Sequence, residues 1–518
     1  METARSEPLH RGLSALGNGV ITFAGVGVFG GLFSLYAFSM GVAGPAEFWG
    51  WPLVALSVGM IVLVFAELAS AYPFVGSMYQ WPTILAGRRI GWSVGWLYLG
   101  AVITLMTAYY ASLPTVVRPL FGWTDTFATN RDIILFAMAF AVVWNLVSIG
   151  ALGRLAKYGM VIEVAVVTLI LLLVFAIGPH HFGALTDTST VVTDAKGNGS
   201  VQNVSSFGDW LPLMLGGGIF NAFWVLYTFE NAGTLGEETR DASRNAPRAV
   251  LGAFGFCVIV GFVFLISFST SVPDIHASMV AGTPAQDAIT NHLPDWVLKA
   301  FLLCLTEGLL LATATMFAGA VRHIFGMARD RQIPFSGSLS RTLKDGSPWV
   351  ATLMLGGLSV IPVFIFTTNT ASIVGGATAA MYLAYFAVIM IALVARLRGW
   401  SNRDGAFSLG RWGMPVNILA ALGAGASLLD LMWHRAATNP TYDEIVGKTT
   451  DSFFRHIPMA WYVVGVPVLV GIVYYALQHR RIHTAETAFE RRVASTGGLL
   501  GAEPLGHVLG EPVTDPLP

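Results

Sequence analysis

The stretch Phe220-Asn-Ala-Phe-Trp-Val-Leu-Tyr-Thr-Phe-Glu-Asn-Ala232 is strongly apolar, yet it contains a carboxylate at Glu230, amides at Asn221 and Asn231, and no basic residue. Burying a charge or an amide at bilayer depth costs free energy, so polar residues in a membrane span usually bind substrate or ions. The stretch therefore predicts one half of a transport site.

The composition of the whole chain indicates an integral membrane protein. Of 518 residues, 54% are hydrophobic and only 11% are charged, whereas about 25% of the residues of a typical soluble domain are charged. Apolar segments of about 20 residues, the length at which a helix crosses a bilayer, recur along the chain. We predict an all-α integral membrane protein with twelve transmembrane helices, at residues 20–41, 52–72, 94–117, 132–149, 158–178, 211–232, 249–271, 296–321, 349–367, 371–395, 413–434 and 458–478.

The placement of basic residues predicts the orientation in the membrane. If the N-terminus is cytoplasmic, most of the 29 Lys and Arg residues lie inside the cell, as expected because cytoplasmic loops are rich in these residues. We therefore expect a multi-pass protein of the cell (plasma or inner) membrane with both termini in the cytoplasm. The basic residues left outside are Arg118, Arg131, Lys196, Lys299, Arg435, Lys448 and Arg455.

Helices 1–5 and 6–10 predict a 5+5 inverted repeat. Because five is an odd number, the second set must cross the membrane in the opposite sense to the first, and such transporters have a discontinuous first helix in each repeat. The predicted domains are a cytoplasmic tail at 1–19, a first repeat at 20–178, an extracellular loop at 179–210, a second repeat at 211–396, helices 11 and 12 at 397–478 and a cytoplasmic tail at 479–518.

Helices 1 and 6, the first helix of each predicted repeat, both have sequence features expected where a transmembrane helix is interrupted. Helix 1 contains four glycines near its middle, and helix 6 opens with three consecutive glycines at 216–218. Small residues also let membrane helices pack closely, so the helix 1 glycines have two interpretations, a binding break and helix packing. Their position in the repeat favours the break. Glu230 has an alternative too, as a hydrogen-bond acceptor for a neighbouring helix.

Six further stretches, in this order, resemble the amino acid–polyamine–organocation superfamily of secondary transporters, and most closely its amino acid/choline branch. They are Gly44-Pro-Ala-Glu-Phe-Trp-Gly-Trp-Pro52, Ala66-Glu-Leu-Ala-Ser-Ala-Tyr-Pro73, Gly76-Ser-Met-Tyr-Gln-Trp81, Gly236-Glu-Glu-Thr-Arg-Asp-Ala-Ser-Arg-Asn-Ala-Pro-Arg248, Met327-Ala-Arg-Asp-Arg-Gln-Ile-Pro-Phe335 and Phe407-Ser-Leu-Gly-Arg-Trp-Gly413.

This resemblance implies a substrate held at the bilayer midplane between unwound helices 1 and 6, with alternating access. A half-helix that starts in the membrane presents free N–H groups and a positive dipole end to a carboxylate, and Glu230 suits an ammonium. Aromatic rings of helix 6 also suit a quaternary ammonium, which keeps choline open. The implied substrate-binding residues are Ala24, Gly25, Gly27, Gly30, Gly31, Tyr227, Thr228, Phe229, Glu230 and Asn231.

Other carboxylates are candidates for coupling and gating. We predict that Glu163 in helix 5 is a proton-coupling group, with an interfacial or structurally paired residue as the alternative. Glu307 in helix 8 is a second intramembrane carboxylate, with no motif around it. An inner gate of ion pairs is predicted from Glu67, Glu237, Glu238 and Arg240, with a solvated loop as the alternative.

Other chemistries lack their motifs. The chain has no phosphate-binding loop and no His-Glu-x-x-His, and its two cysteines lie in apolar spans. We therefore predict no enzyme activity, no cofactor, no metal and no nucleic-acid partner. The sequence predicts a secondary active transporter that imports an amino acid or related amine, coupled to H+. A choline or polyamine transporter and a non-transporting nutrient sensor are the alternatives, and the oligomeric state is left open.

Overall fold

The computed structural model describes residues 14–147, 149–194, 198–236, 239–343, 346–365, 370–402, 405–435, 438–441, 443–444 and 456–484. The helices of the first half are α1 (Ala15–Val26), α2 (Val28–Ala43), α3 (Gly50–Ala71), α4 (Ser77–Ala86), α5 (Arg88–Ser112), α6 (Pro114–Phe121), α7 (Phe127–Val147) and α8 (Ile149–Ile177). A hairpin of β1 (Thr190–Thr193) and β2 (Gly199–Gln202) follows.

The second half is also helical. It contains α9 (Phe207–Leu213), a π-helical turn (Met214–Gly218), α10 (Phe220–Val225), α11 (Asn231–Thr234), α12 (Ala242–Ser271), α13 (Ile275–Ala281), α14 (Pro284–Thr290) and α15 (Asp295–Arg329). The remaining helices are α16 (Ser336–Leu339), α17 (Trp349–Ile365), α18 (Thr370–Leu397), α19 (Gly413–Met432) and α20 (Met459–Thr484).

Ten helical segments of the described residues are long and apolar enough to cross a bilayer, with α1 and α2 counted together as one of them. The other two predicted spans differ from a regular helix of that length. Span 349–367 corresponds to the shorter α17. Span 211–232 is divided among α9, the π-helical turn, α10 and α11. The predicted discontinuity of helices 1 and 6 is present in the structure.

The two discontinuous segments lie in the middle of the helical assembly. Helix α1 packs against α8, α12 and α15, and α2 packs against α10. Helices α5 and α18 pack closely against each other, and α3 contacts both α12 and α19. The glycines at 216–218 serve this packing, because a Cβ on Gly218 would lie only 2.7 Å from the Cβ of Ala43 at the end of α2.

Some of the segments between the predicted spans contain regular structure, and the otherwise helical fold includes a short β-hairpin. Loop 73–93 contains α4, and loop 272–295 contains α13 and α14. Loop 179–210 contains the antiparallel β1–β2 hairpin. This loop is attached to the turn Pro45–Trp49 between α2 and α3, since the Ala46 N–H donates to the Asp187 carbonyl at 3.0 Å and the Trp49 indole N–H donates to the Leu185 carbonyl at 2.9 Å.

Candidate functional site

Helix 1 is interrupted at Gly27. This residue has φ +60° and ψ +48°, the left-handed conformation that ends α1 and precedes α2, and glycine adopts it without a Cβ penalty. The first hydrogen bond of α2 runs from the Gly31 N–H to the Gly27 carbonyl at 2.8 Å. The preceding N–H groups at 28–30 therefore have no partner within α2. They form a buried helix N-terminus with its positive dipole end at the break.

The other helix 1 glycines allow close packing. A Cβ on Gly25 would lie 2.9 Å from the Met316 sulfur of α15, and one on Gly31 would lie 3.1 Å from Val225 of α10. A Cβ on Gly30 would overlap the Leu309 side chain of α15. The helix 1 glycines therefore include a break at Gly27 and close-packing positions at Gly25, Gly30 and Gly31, and substrate binding at the break stays a prediction. Ala24 is buried inside α1, one residue before Gly25.

Helix 6 is interrupted over residues 226–230. Thr228 has φ +66°, a left-handed conformation that is costly for a β-branched residue and is found mostly at functional sites. The Thr228 N–H donates to the Tyr385 hydroxyl of α18 at 2.7 Å, and the Thr228 hydroxyl donates to the Tyr227 carbonyl at 2.7 Å. A side chain of α18 therefore holds the broken backbone in place.

Glu230 is fully buried at the end of this break. The Tyr98 hydroxyl of α5 donates to Glu230 Oε1 at 2.8 Å, and the Tyr385 hydroxyl donates to Glu230 Oε2. Glu230 therefore accepts hydrogen bonds from two neighbouring helices, and its role in substrate binding stays a prediction. A carboxylate offers about four acceptor positions, so Glu230 keeps capacity for further donors.

Aromatic side chains connect the two breaks. The Tyr109 hydroxyl of α5 donates to the Gly25 carbonyl at 2.7 Å. The Tyr109 ring lies 5.5 Å from Trp224, which lies 5.5 Å from Tyr227. The Trp224 indole nitrogen is buried and has no hydrogen-bond partner within the described residues. A polar group that enters between the breaks would find this donor available.

Two predicted site residues face other helices. The Phe229 ring packs edge to face on Phe254 of α12 at 5.2 Å. The Asn231 amide nitrogen lies 3.8 Å from the Met316 sulfur of α15, and Met316 is the residue that packs on Gly25. Asn231 and Gly25 therefore contact the same side chain of α15.

Tyr98, Tyr109 and Tyr385 were missing from the sequence prediction. Each is at most 6% exposed, and each contacts one of the two breaks through its hydroxyl. A tyrosine inside an apolar span is a signal that could have been used, because a buried hydroxyl needs a partner. Only the packing of α5 and α18 identifies that partner.

Glu163 packs against a glycine of the facing helix. A Cβ on Gly308 of α15 would overlap the Glu163 carboxylate, and a Cβ on Gly159 of α8 would overlap the Glu307 carboxylate. Glu163 is 5% exposed, and its Oε1 has no hydrogen-bond partner in the described part of the chain. This geometry argues against the alternative that Glu163 is a structurally paired residue.

Glu67 has a partner that the sequence did not indicate. It forms an ion pair with Arg396 of α18, and its Oε1 accepts the Leu409 N–H at 3.1 Å. Both side chains of the pair are almost completely buried. Glu67 therefore belongs to a buried ion pair, and its role in an inner gate stays a prediction. Arg240 lies before α12, where its carbonyl accepts from the Asn245 amide at 2.6 Å, and Glu237 and Glu238 lie outside the described residues.

A cavity of about 430 Å³ lies beyond the helix 1 break, along α2. Phe33 and Tyr36 of α2 line it together with Arg118 of α6 and Trp123. Phe33 is six residues from Gly27, which corresponds to about 9 Å along a helix axis. The cavity therefore approaches the break from the end of the molecule that carries the β1–β2 hairpin.

The known proteins that this chain resembles are permeases and transporters of amino acids and related compounds. The family model described as "Amino acid permease" matches residues 16–455. The chain is 25% identical to a protein of Macrophomina phaseolina named as an amino acid/polyamine transporter, over 80% of this chain and 92% of that protein. It is 23% identical to the amino-acid permease BAT1 of Arabidopsis thaliana, over 81% and 85% of the two chains. It is also 23% identical to the GABA-specific permease of Saccharomyces cerevisiae, over 94% and 85%.

Proposed function

Because the chain belongs to the amino acid permease family, we propose that it is a secondary active transporter that imports an amino acid or related amine by alternating access. One observation carries the proposal: two membrane segments are interrupted at neighbouring buried places, Gly27 and residues 226–230. Tyr109 contacts both segments, through its hydroxyl on Gly25 and its ring on Trp224.

The proposed substrate lies between the breaks with its two charged ends apart. Its carboxylate binds the free N–H groups at 28–30, because the α2 dipole favours an anion there. Its ammonium binds near Glu230, the only carboxylate among the proposed binding residues. Ala24, Gly25, Gly27, Gly30, Gly31, Tyr227, Thr228, Phe229 and Asn231 complete the proposed site, with Phe229 and the packing glycines supporting its shape.

The names of the relatives define the substrates to test. One relative is named for GABA and another for amino acids and polyamines. A choline or polyamine transporter with the same fold is the second candidate function. The rings of Tyr109, Trp224 and Tyr227 favour it, because a cation over a desolvated ring gains about 2 kcal/mol.

Counterflow in proteoliposomes tests the proposal. Vesicles loaded with unlabelled γ-aminobutyrate, L-arginine, L-alanine, putrescine or choline should accumulate the same labelled compound transiently if the protein exchanges it. A nutrient sensor would bind one of these compounds without flux. Glu230→Gln should weaken uptake of the accepted amine by about 10- to 100-fold, because a hydrogen bond to a charged group contributes about 1.5–3 kcal/mol. Glu47→Gln, a buried carboxylate outside the site, is the matched control.

Proton coupling at Glu163 is part of the proposal. Its carboxylate is buried, lacks a partner on Oε1 and lies on α8, which packs against α1. Glu163→Gln should abolish the acid stimulation of uptake. An unchanged pH profile in this variant would refute the role of Glu163.

The proposal also includes the orientation of the protein in the membrane and the ion pairs at its cytoplasmic end. If both termini are cytoplasmic, loop 179–210 with the hairpin is outside the cell, only seven of the 29 basic residues are outside with it by the sequence-based spans, and the protein lies in the cell membrane. The repeats at 20–178 and 211–396 are then inverted, which the break in the first helix of each supports. Glu67 with Arg396, and Arg240 with Glu237 and Glu238, belong to the cytoplasmic end and contribute to its closure.

A further inference from the structure

We propose that Glu163 on α8 and Glu307 on α15 form one carboxylate pair that holds a single proton, and that the pair is the proton site of the transporter. The inference rests on the proposed function, which assigns proton coupling to Glu163 alone. It adds Glu307 as the second member, so that the two carboxylates share one proton and together carry one negative charge.

The packing of the two helices is reciprocal. The Glu163 carboxylate lies over Gly308, the residue after Glu307, and the Glu307 carboxylate lies over Gly159, one helical turn before Glu163. Residues four apart share a helix face. Each helix therefore presents one glycine and one carboxylate to the other, and any larger residue at either glycine would push a carboxylate away.

Glu163 is the buried member of the pair and Glu307 the more exposed one. Glu163 is 5% exposed, and its unpartnered Oε1 lies in the contact with α15. Glu307 is only partly buried. A proton can therefore reach Glu163 by way of Glu307, and the acceptor on Glu163 is free to receive it.

The surroundings supply no described cation to balance two negative charges. Beside the pair, α15 carries the thiol of Cys304, and α1 has no titratable residue. The other titratable residues of α15 are at least two helical turns from Glu307; they are Asp295, Lys299, Arg322, His323 and Arg329. The described titratable groups on the other helices around α8 include Cys257 in the apolar part of α12, Arg244 and Arg248 at the start of α12, Arg131 and Asp132, which pair with each other at the start of α7, and Lys157, which lies over Tyr158 on α8 itself. Two ionised carboxylates in such a place repel each other, and one proton removes the repulsion by a hydrogen bond between them.

Helix α15 connects the pair to the helix 1 break. Leu309 and Ala312, which follow Glu307 by two and five residues, are the side chains that a Cβ on Gly27 would meet. The proton is taken from water on the outer side, held as an O–H on one carboxylate and returned to water inside. When it leaves, repulsion between α8 and α15 moves α15 relative to Gly27.

Thermal unfolding of the purified protein without ligand tests the pair apart from transport. The folded protein should lose stability as the pH rises above about 4.3, the ordinary pKa of Glu, because the unfolded chain then ionises both carboxyl groups while the folded pair keeps one proton. Glu163→Gln, Glu307→Gln and the double variant should each flatten this pH dependence to the same extent. Glu163→Asp and Glu307→Asp, which keep two carboxylates, should retain it. Additive effects of the two Gln substitutions, or a wild-type pH dependence in Glu307→Gln, would overturn the pair.

Counterflow tests whether the protein is a transporter, and proton-driven accumulation tests whether the carboxylate pair couples transport to protons. With an inward gradient of about one pH unit, one coupled proton supplies up to about tenfold accumulation, or 1.36 kcal/mol. Each Gln variant should lose this accumulation but keep counterflow of the same compound. Absence of counterflow in the wild type would refute the proposed function. Counterflow with proton-driven accumulation intact in Glu307→Gln, or accumulation driven by Na+ at uniform pH, would refute the proton pair alone.

Discussion

At the residue scale, Gly27 is the position where backbone conformation and packing coincide. Its φ of +60° favours glycine, and a Cβ there would lie 2.7 Å from the Ala312 Cβ. Gly122 is a matched control, since it has φ +68° but no atom within 4 Å of its Cβ position. Comparing an Ala substitution at each glycine therefore distinguishes the free-energy cost of the left-handed backbone from the cost of steric overlap.

We expect Gly27→Ala to destabilise the protein more than Gly122→Ala does. Both substitutions carry the left-handed penalty of about 1–2 kcal/mol, and only Gly27→Ala adds overpacking of about 1–3 kcal/mol. Thermal unfolding in detergent measures the difference, and counterflow should be lost in Gly27→Ala alone. Equal losses of stability would mean that α15 moves aside without cost.

The sequence predicted the break in each helix but not every residue that forms it. Glycines in helix 1 and a carboxylate in helix 6 were detectable because both are unfavourable in an ordinary span. Four glycines in one helix are equivalent in sequence, and only the left-handed backbone conformation in the folded structure distinguishes Gly27 from the other three. Tyr385 could not be assigned for a similar reason, since its two partners at Thr228 and Glu230 are about 155 residues away in the chain and the pairing depends on tertiary contacts.

At the scale of elements, the Glu67–Arg396 ion pair joins α3 to α18 near the ends of both helices. The side chains are 1% and 6% exposed, and Arg396 also donates to the Asn417 side chain of α19 at 3.1 Å. Three helices, the Ser408 hydroxyl and the Leu409 N–H therefore meet at one buried pair. Removing one partner leaves the other charge buried and unpaired.

Glu67→Gln or Arg396→Met should lower the free energy of unfolding by about 3–5 kcal/mol. Replacing both residues by Met should cost less than the sum of the single changes, because no unpaired charge remains. Asp125→Asn serves as the control, since Asp125 pairs with Arg118 at 2.6 Å but is 66% exposed, and such pairs contribute about 0–1 kcal/mol. Additive single effects in a double-mutant cycle would contradict the pairing.

The loop between α8 and α9 provides a prediction of pH dependence. Partial burial of Asp187 opposes its ionisation, but hydrogen bonds from the Ser189 hydroxyl and N–H and from His276 outweigh it and lower the pKa of Asp187. The charged form is therefore favoured in the folded state, and its contribution is present at neutral pH and lost as the pH falls through the lowered pKa.

Asp187→Asn should consequently destabilise the protein at neutral pH, and the difference from the wild type should shrink below about pH 3.9, the ordinary range for Asp. Thermal unfolding at several pH values measures this difference. A constant difference at all pH values would show that the substitution acts through packing instead of charge.

Long elements were more predictable than short ones. Spans of about 20 apolar residues are forced into helices because lipid cannot satisfy backbone polar groups, and their positions follow from composition. Helix α4, α13, α14 and the β1–β2 hairpin are shorter than the isolated elements that are stable in water. Tertiary contacts stabilise them, such as a 2.9 Å hydrogen bond between Ser77 of α4 and Thr234 of α11, and these contacts leave no periodic pattern in the sequence.

At the scale of the whole molecule, alternating access requires that the two ends of the assembly face different compartments. Strand β2 packs against α13, which precedes α15, and Gly337 of α16 follows the end of α15. Helix α15 has 35 residues and is therefore about 52 Å long. Ser200 on β2 and Gly337 are both exposed and lie at opposite ends of this helix.

Labelling at these two positions determines the orientation that the basic residues predict. In a Cys257→Ser, Cys304→Ser background, Ser200→Cys should react with a membrane-impermeant maleimide in intact cells, because the hairpin side carries few basic residues and faces outward. Gly337→Cys should react only after permeabilisation, and its Cβ position is free of other atoms within 4 Å, so the substitution should not disturb the fold. The reverse pattern would invert the orientation, and with it the direction from which the 430 Å³ cavity receives substrate.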